Sequence, residues 1–142
     1  MKNLVLILVL FTSFYSCKSD DEVPTPNNEI YGSWKLMATN NNDGNSGTSW
    51  TEAINTYNIA FNKDNTFSRN DFATCSSGTY TITQDPSNSE YKIITLTYAC
   101  NNDDFEHQFK SKYRIININS SELITNNLNC IEECGEKFIK EY

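Results

Sequence analysis

The 142-residue sequence has one histidine, three prolines, no excess of basic residues and no apolar run long enough to cross a membrane. Each shortage excludes something. With 11 basic against 18 acidic residues and a formal net charge of −7, the chain repels phosphate backbones, so nucleic acid is not an expected partner. The apolar run at 4–11 is about half of the roughly 20 residues that a spanning helix needs. No stretch keeps a helical period. No Ser or Cys sits in a nucleophile motif and no carboxylate pair is placed by the pattern, so nothing positive points to catalysis. A hydrolase reading would need a turnover abolished by changing His107, and a lone histidine is more often structural. What is abundant is strand-forming: 38% hydrophobic residues and 13% aromatics, with 8 Tyr and 8 Phe, favour an all-β fold in one domain.

The start of the chain reads as delivery machinery. Lys2, the apolar run and the small residues Thr12, Ser13 and Ser16 before Cys17 make residues 1–16 a secretory signal peptide. Ser16-Cys17 resembles a bacterial lipobox, with Phe14 where that motif usually has Leu. The resemblance implies acyl chains on Cys17 that hold the protein to a membrane. Lys18-Ser19-Asp20-Asp21-Glu22 resembles the acidic tag that sends some Gram-negative lipoproteins to the cell-surface side of the outer membrane. Residues 17–29, with Pro24 and Pro26, form the lipidated cysteine and an extended linker, and the folded domain is expected over 30–142.

From 32 onward the pattern is short alternating segments separated by turn residues. Residues 32–39 put Trp34, Leu36 and Ala38 on one face. A loop of Asn, Gly and Ser at 40–49 ends in Trp50, which is expected to fold back onto the rim. Residues 56–61 and 66–72 flank the turn Asn62-Lys63-Asp64-Asn65 as a hairpin. Further strands are predicted at 78–83, 91–99, 105–119, 122–127 and 137–142, with a bulge near Asn117 where the phase of Ile115, Ile116 and Ile118 breaks. Eight antiparallel strands with sequential turns close into an up-and-down barrel, which removes both sheet edges.

Gly32-Ser33-Trp34, the hairpin 61–67, Tyr80 after Gly78, and Ile115 followed by Leu123 resemble the bacterial lipocalin-like lipoproteins over 30–142. That resemblance implies a calycin-type barrel closed at one end under Trp34, with Gly32 letting the chain pass beneath it, and open at the other. Many lipocalins set a late-strand arginine against that Trp. Here the final strand offers only Lys137 and Lys140, so that contact is not carried over. The family implies a capacity for small ligands; no cofactor is expected.

Beyond Cys17 the chain has Cys75, Cys100, Cys130 and Cys134, an even number that reads as disulfides in an oxidising compartment. In the barrel order all four fall at the open rim. Cys75 and Cys100 flank neighbouring strands and are expected to pair, leaving Cys130 with Cys134; the alternative joins Cys100 to Cys130 and Cys75 to Cys134. Zinc is disfavoured because Cys75 and Cys100 are isolated.

Polar groups on the inward faces make the interior a candidate pocket. Tyr57, Arg69, Tyr80, Tyr98, His107, Phe109 and Tyr113 are the expected ligand contacts, the polar tip of a small apolar or amphipathic molecule meeting Tyr80, Tyr98 or His107. Its apolar part would lie against Leu36, Ile59, Phe67, Ile94, Leu96 and Phe109. Asp71 is read either as lining or as an ion-pair partner of Arg69. The competing expectation is a filled barrel that presents its rim loops to another protein, as an inhibitor or assembly factor. Cavity volume separates the two.

Overall fold

A computed structural model describes residues 29–41, 49–100, 110–130 and 134–142. The expected leader, Cys17, His107 and Phe109 lie outside the described residues.

Nine strands form one sheet: β1 (Gly32–Asn41), β2 (Thr51–Glu52), β3 (Asn58–Phe61), β4 (Thr66–Arg69), β5 (Ser77–Gln84), β6 (Lys92–Tyr98), β7 (Lys110–Ile118), β8 (Glu122–Asn127) and β9 (Cys134–Glu141). Each pairs antiparallel with its sequence neighbour from β3 to β9, and β1 pairs with β3 on one side and β9 on the other. The result is a closed eight-stranded up-and-down barrel, lipocalin-like in its order. The ninth strand, β2, was not expected from sequence. It covers the upper edge of β1 (Ala38 opposite Glu52, Thr39 opposite Thr51), where short β3 does not reach.

The strand ends differ from expectation for identifiable reasons. β3 and β4 are shorter than the pattern, because after Arg69 the chain leaves the wall and runs over the mouth. β9 starts at Cys134 instead of Lys137, which brings Glu136 into the sheet opposite Thr125. The register of β7 on β8 shifts between Ile115 and Asn117, the bulge the broken phase predicted. A second bulge was not foreseen: β1 shifts on β9 between Leu36 and Ala38. It sets Ala38 opposite Lys137, so the expected Trp34-Leu36-Ala38 face ends at Leu36.

Two bulky layers fill the barrel. Trp34, Ile59, Phe61, Phe67, Tyr80, Ile94, Leu96, Ile115, Leu123 and Phe138 are all buried, and edge-to-face pairs of Phe61 with Tyr80 and Phe67 with Tyr98 lock neighbouring walls together. At the lower end Trp34 is fully buried (0% exposed) and its Nε1 donates to the Ile30 carbonyl at 2.7 Å. Gly32 takes φ +117°, a conformation that side chains resist, and a Cβ there would come within 2.9 Å of Lys140 Cε. The sequence offered no arginine for the contact against Trp34, yet Lys140 makes one: its Nζ lies 4.8 Å from the Trp34 ring centroid and donates to the Glu29 carbonyl at 3.2 Å. Nearby, the Asp85 carboxylate accepts from the Ser87 hydroxyl and amide and from Arg114 Nε at 2.6 Å, which together hold its pKa down at about 2.

Trp34→Ala should lower the unfolding free energy by about 3–5 kcal/mol, the usual cost of deleting a buried large aromatic. Lys140→Met keeps the apolar stem over Gly32 and should cost only about 1 kcal/mol, the worth of a partly desolvated cation–ring contact. Urea unfolding of the full chain measures both, and equal losses would refute this division of roles.

Candidate functional site

The upper half of the barrel holds a polar cluster built from four strands. Arg69, the last residue of β4, points inward because it shares a face with Phe67. A buried guanidinium is tolerable only when its donors are satisfied. They are: Nε donates to Asp71 Oδ1 at 2.6 Å, Nη2 forms an ion pair with Asp71 Oδ2, and Nη1 donates to the Tyr98 hydroxyl at 2.8 Å and the Tyr113 hydroxyl at 3.5 Å. The guanidinium plane is also held between two rings, 4.5 Å from the Tyr57 centroid and 4.8 Å from that of Phe72. Burial works against the charge, but the Asp71 bond and the surrounding phenol groups more than offset it and raise the Arg69 pKa.

Asp71, read from sequence either as pocket lining or as an ion-pair partner of Arg69, is the ion-pair partner, a fork that closes on Arg69 from the rim. Phe72 covers the pair and remains 45% exposed. The segment that carries both is fixed by the Cys75–Cys100 disulfide (Cα–Cα 5.3 Å) and by reciprocal bonds, Asn58 N to Asn70 Oδ1 at 2.7 Å and Asn70 N to the Asn58 carbonyl at 3.2 Å. Cys130 pairs with Cys134, so both pairings match the first of the two expected connectivities.

Behind Arg69, the Tyr57 hydroxyl donates to Glu136 Oε1 at 2.9 Å. Burial pushes the Glu136 pKa up, while the Tyr57 bond and the charge of Arg69 pull against that shift. Tyr57 is likewise raised, by burial first and then by the neighbouring carboxylate, and burial pushes Tyr113 up to about 12. Glu136 and Thr125 were not foreseen. The signal available was their spacing from Phe138 and Leu123, two residues away on strands with period two, but the Cys130–Cys134 segment read as loop.

The expected contacts therefore separate. Tyr57, Arg69, Tyr98 and Tyr113 come together. Tyr80, expected near the rim, belongs to the lower end, where its hydroxyl donates to the Asn62 carbonyl at 3.0 Å. Trp50 packs back on the outer wall: Lys137 Nζ lies 5.1 Å from its ring, and a Cβ on Gly135 would meet Trp50 Cη2 at 3.0 Å. Among the described residues, a cavity of 20 Å³ lies inside the barrel between Tyr57, Arg69, Tyr113, Thr125 and Glu136 on one side and apolar side chains on the other. Apolar ligands occupy pockets of about 300 Å³ or more. A larger depression of 480 Å³ lies along the β4–β5 wall beside Ser68, Ser77, Gly78, Thr79 and Thr97. Among the described residues no group of three or more His, Cys, Asp or Glu could hold a metal ion. No family model, curated protein or solved structure matches the chain.

Asp71→Ala strands a buried guanidinium and should cost about 3 kcal/mol, whereas Arg69→Met/Asp71→Ala, which removes both charges, should recover most of that loss. Chemical denaturation of the two variants tests whether the pair is a matched plug.

Glu136 gives a pH signature of defined sign. Its folded pKa lies above the ordinary 4.5, so the folded state holds the proton more tightly and this group's contribution to stability falls as pH rises through the interval between the two values. Glu136→Gln keeps an acceptor for Tyr57 and removes that dependence. The stability of the variant relative to the native chain should therefore increase from pH 4 to pH 8 in parallel thermal melts.

Proposed function

We propose that this chain is a lipid-anchored extracytoplasmic protein whose filled barrel serves as a rigid support for contacts made at its open end with another protein. The observation that supports this reading is that, among the described residues, the cavity inside the barrel between Arg69 and Phe138 measures 20 Å³, too little for a small apolar ligand. The anchoring rests on the lipobox-like Ser16-Cys17, and the surface destination on the acidic tag after it. Rim disulfides suit an oxidising compartment. Gly32-x-Trp34 with Lys140 over the ring supports the lipocalin-like reading of the scaffold without requiring the ligand that such a name suggests.

The upper end also offers apolar contact surface. Ile54 is 98% exposed in the segment between β2 and β3, and Phe72 stands over the mouth. The two segments are tied to each other through Asn58 and Asn70. Leu128, at the top of β8, is exposed on the same end. Exposed aliphatic and aromatic groups beside a rigid frame are the usual raw material of a protein contact.

On intact cells, a photo-crosslinking side chain at position 54 should give one discrete protein adduct, and the same group at position 63, in the lower turn, should give none. Native mass spectrometry of the detergent-extracted chain should show no retained small molecule in the domain. A stoichiometric bound compound, or an adduct that forms equally from both ends, would overturn this reading.

A further inference from the structure

Thr125 lies on β8 with its residue 3% exposed, and its Oγ1 is the buried side-chain polar atom without a hydrogen-bond partner among the described residues. Such an orphan costs about 1–3 kcal/mol, so a fold that keeps it has a reason. Its surroundings supply one. Thr125 sits directly opposite Glu136 in the β8–β9 ladder, which puts both side chains on the inner face about 5 Å apart at Cβ. Tyr113 stands one step along the same face, on β7, whose Ile115 is the partner of Thr125. All three line the 20 Å³ cavity.

The hydrogen-bonding capacity of these neighbours is only partly used by the protein. Glu136 Oε1 accepts the hydrogen bond of the Tyr57 hydroxyl, and among the described residues no donor reaches its second oxygen. The Tyr113 oxygen accepts weakly from Arg69 at 3.5 Å, and among the described residues its own proton meets no acceptor. A cavity holds a water when it offers about 10–15 Å³ to a water-sized sphere and two to four polar partners. This one meets both conditions.

We propose that the cavity is a binding site for one water molecule, held between Thr125 Oγ1, the Glu136 carboxylate and the Tyr113 hydroxyl. The water accepts from Tyr113, donates to Glu136 Oε2 and exchanges a hydrogen bond with Thr125. It completes a polar chain that begins at Asp71 on the rim and passes through Arg69 and Tyr113 to the β8–β9 wall. The site also explains why a threonine, whose hydroxyl would otherwise be penalised, stands where the strand pattern calls for valine. It is independent of whether the rim meets a partner.

Water-selective NOE spectroscopy on the labelled full chain should show a long-lived water contacting the Thr125 methyl and the Glu136 amide, and a high-resolution crystal structure should show one density peak within hydrogen-bond reach of all three oxygens. The NOE should vanish in Thr125→Val. Thr125→Ser, which keeps the hydroxyl, should retain it and serves if the valine variant fails to fold. A dry cavity, a cavity that takes up xenon, or a Thr125 hydroxyl found bonded to a backbone carbonyl would each overturn the proposal.

Discussion

Each end of the barrel is closed by an aromatic ring with a cation held against it. An eight-stranded barrel is just wide enough for its own side chains, so its stability rests on how the two openings are sealed. Below, Lys140 lies over Trp34; above, Arg69 lies between Tyr57 and Phe72. Each cation shields apolar surface with its stem while its charge finds donors' complements at the edge: a backbone carbonyl for Lys140, a carboxylate fork and a phenol for Arg69. The two seals differ in cost. Lys140 keeps its charge near solvent, whereas Arg69 is buried and stable only in company with Asp71.

This difference explains the polarity gradient within the barrel. The lower and middle layers are Trp, Phe, Ile and Leu with hydroxyls directed to backbone carbonyls. Once a guanidinium occupies the upper layer, every neighbour must accept from it or screen it, and Tyr98, Tyr113, Tyr57 and Glu136 take those places. A mixture of tyrosines with one arginine thus looks like a ligand pocket in sequence, although its polar atoms are directed mostly at one another.

Much of the architecture could be read from period-two alternation and turn residues, since both report directly on which face is buried. Gly32-Ser33-Trp34, the 62–65 turn and the break at Ile116 carried clear signals. The bulge at Met37 did not, because it flips a face without changing the apolar count: Ala38 is small enough to suit either side. β2 was too short for any pattern. The Lys140 contact was invisible because a lysine four residues into a strand reads as solvent-facing, and only closure of β9 on β1 brings it over Trp34. Glu136 and Thr125 were hidden by chemistry that contradicts their location, a carboxylate and a hydroxyl on an inner face.

That contradiction is also what makes the upper cluster worth its cost. A core of valine and leucine at Thr125, Glu136 and Arg69 would seal the barrel with less desolvation, and replacing buried ion pairs by apolar groups is often neutral or stabilising. Retained polar groups instead fix geometry: the Asp71 fork dictates where residues 70–76 cross the mouth, and the Cys75–Cys100 bridge sets the same segment from the other side. Two independent restraints on one short stretch hold Phe72 in a defined position against Arg69 and Tyr98. The polar upper layer and the fixed path of the Asp71 segment are therefore two consequences of a single buried arginine.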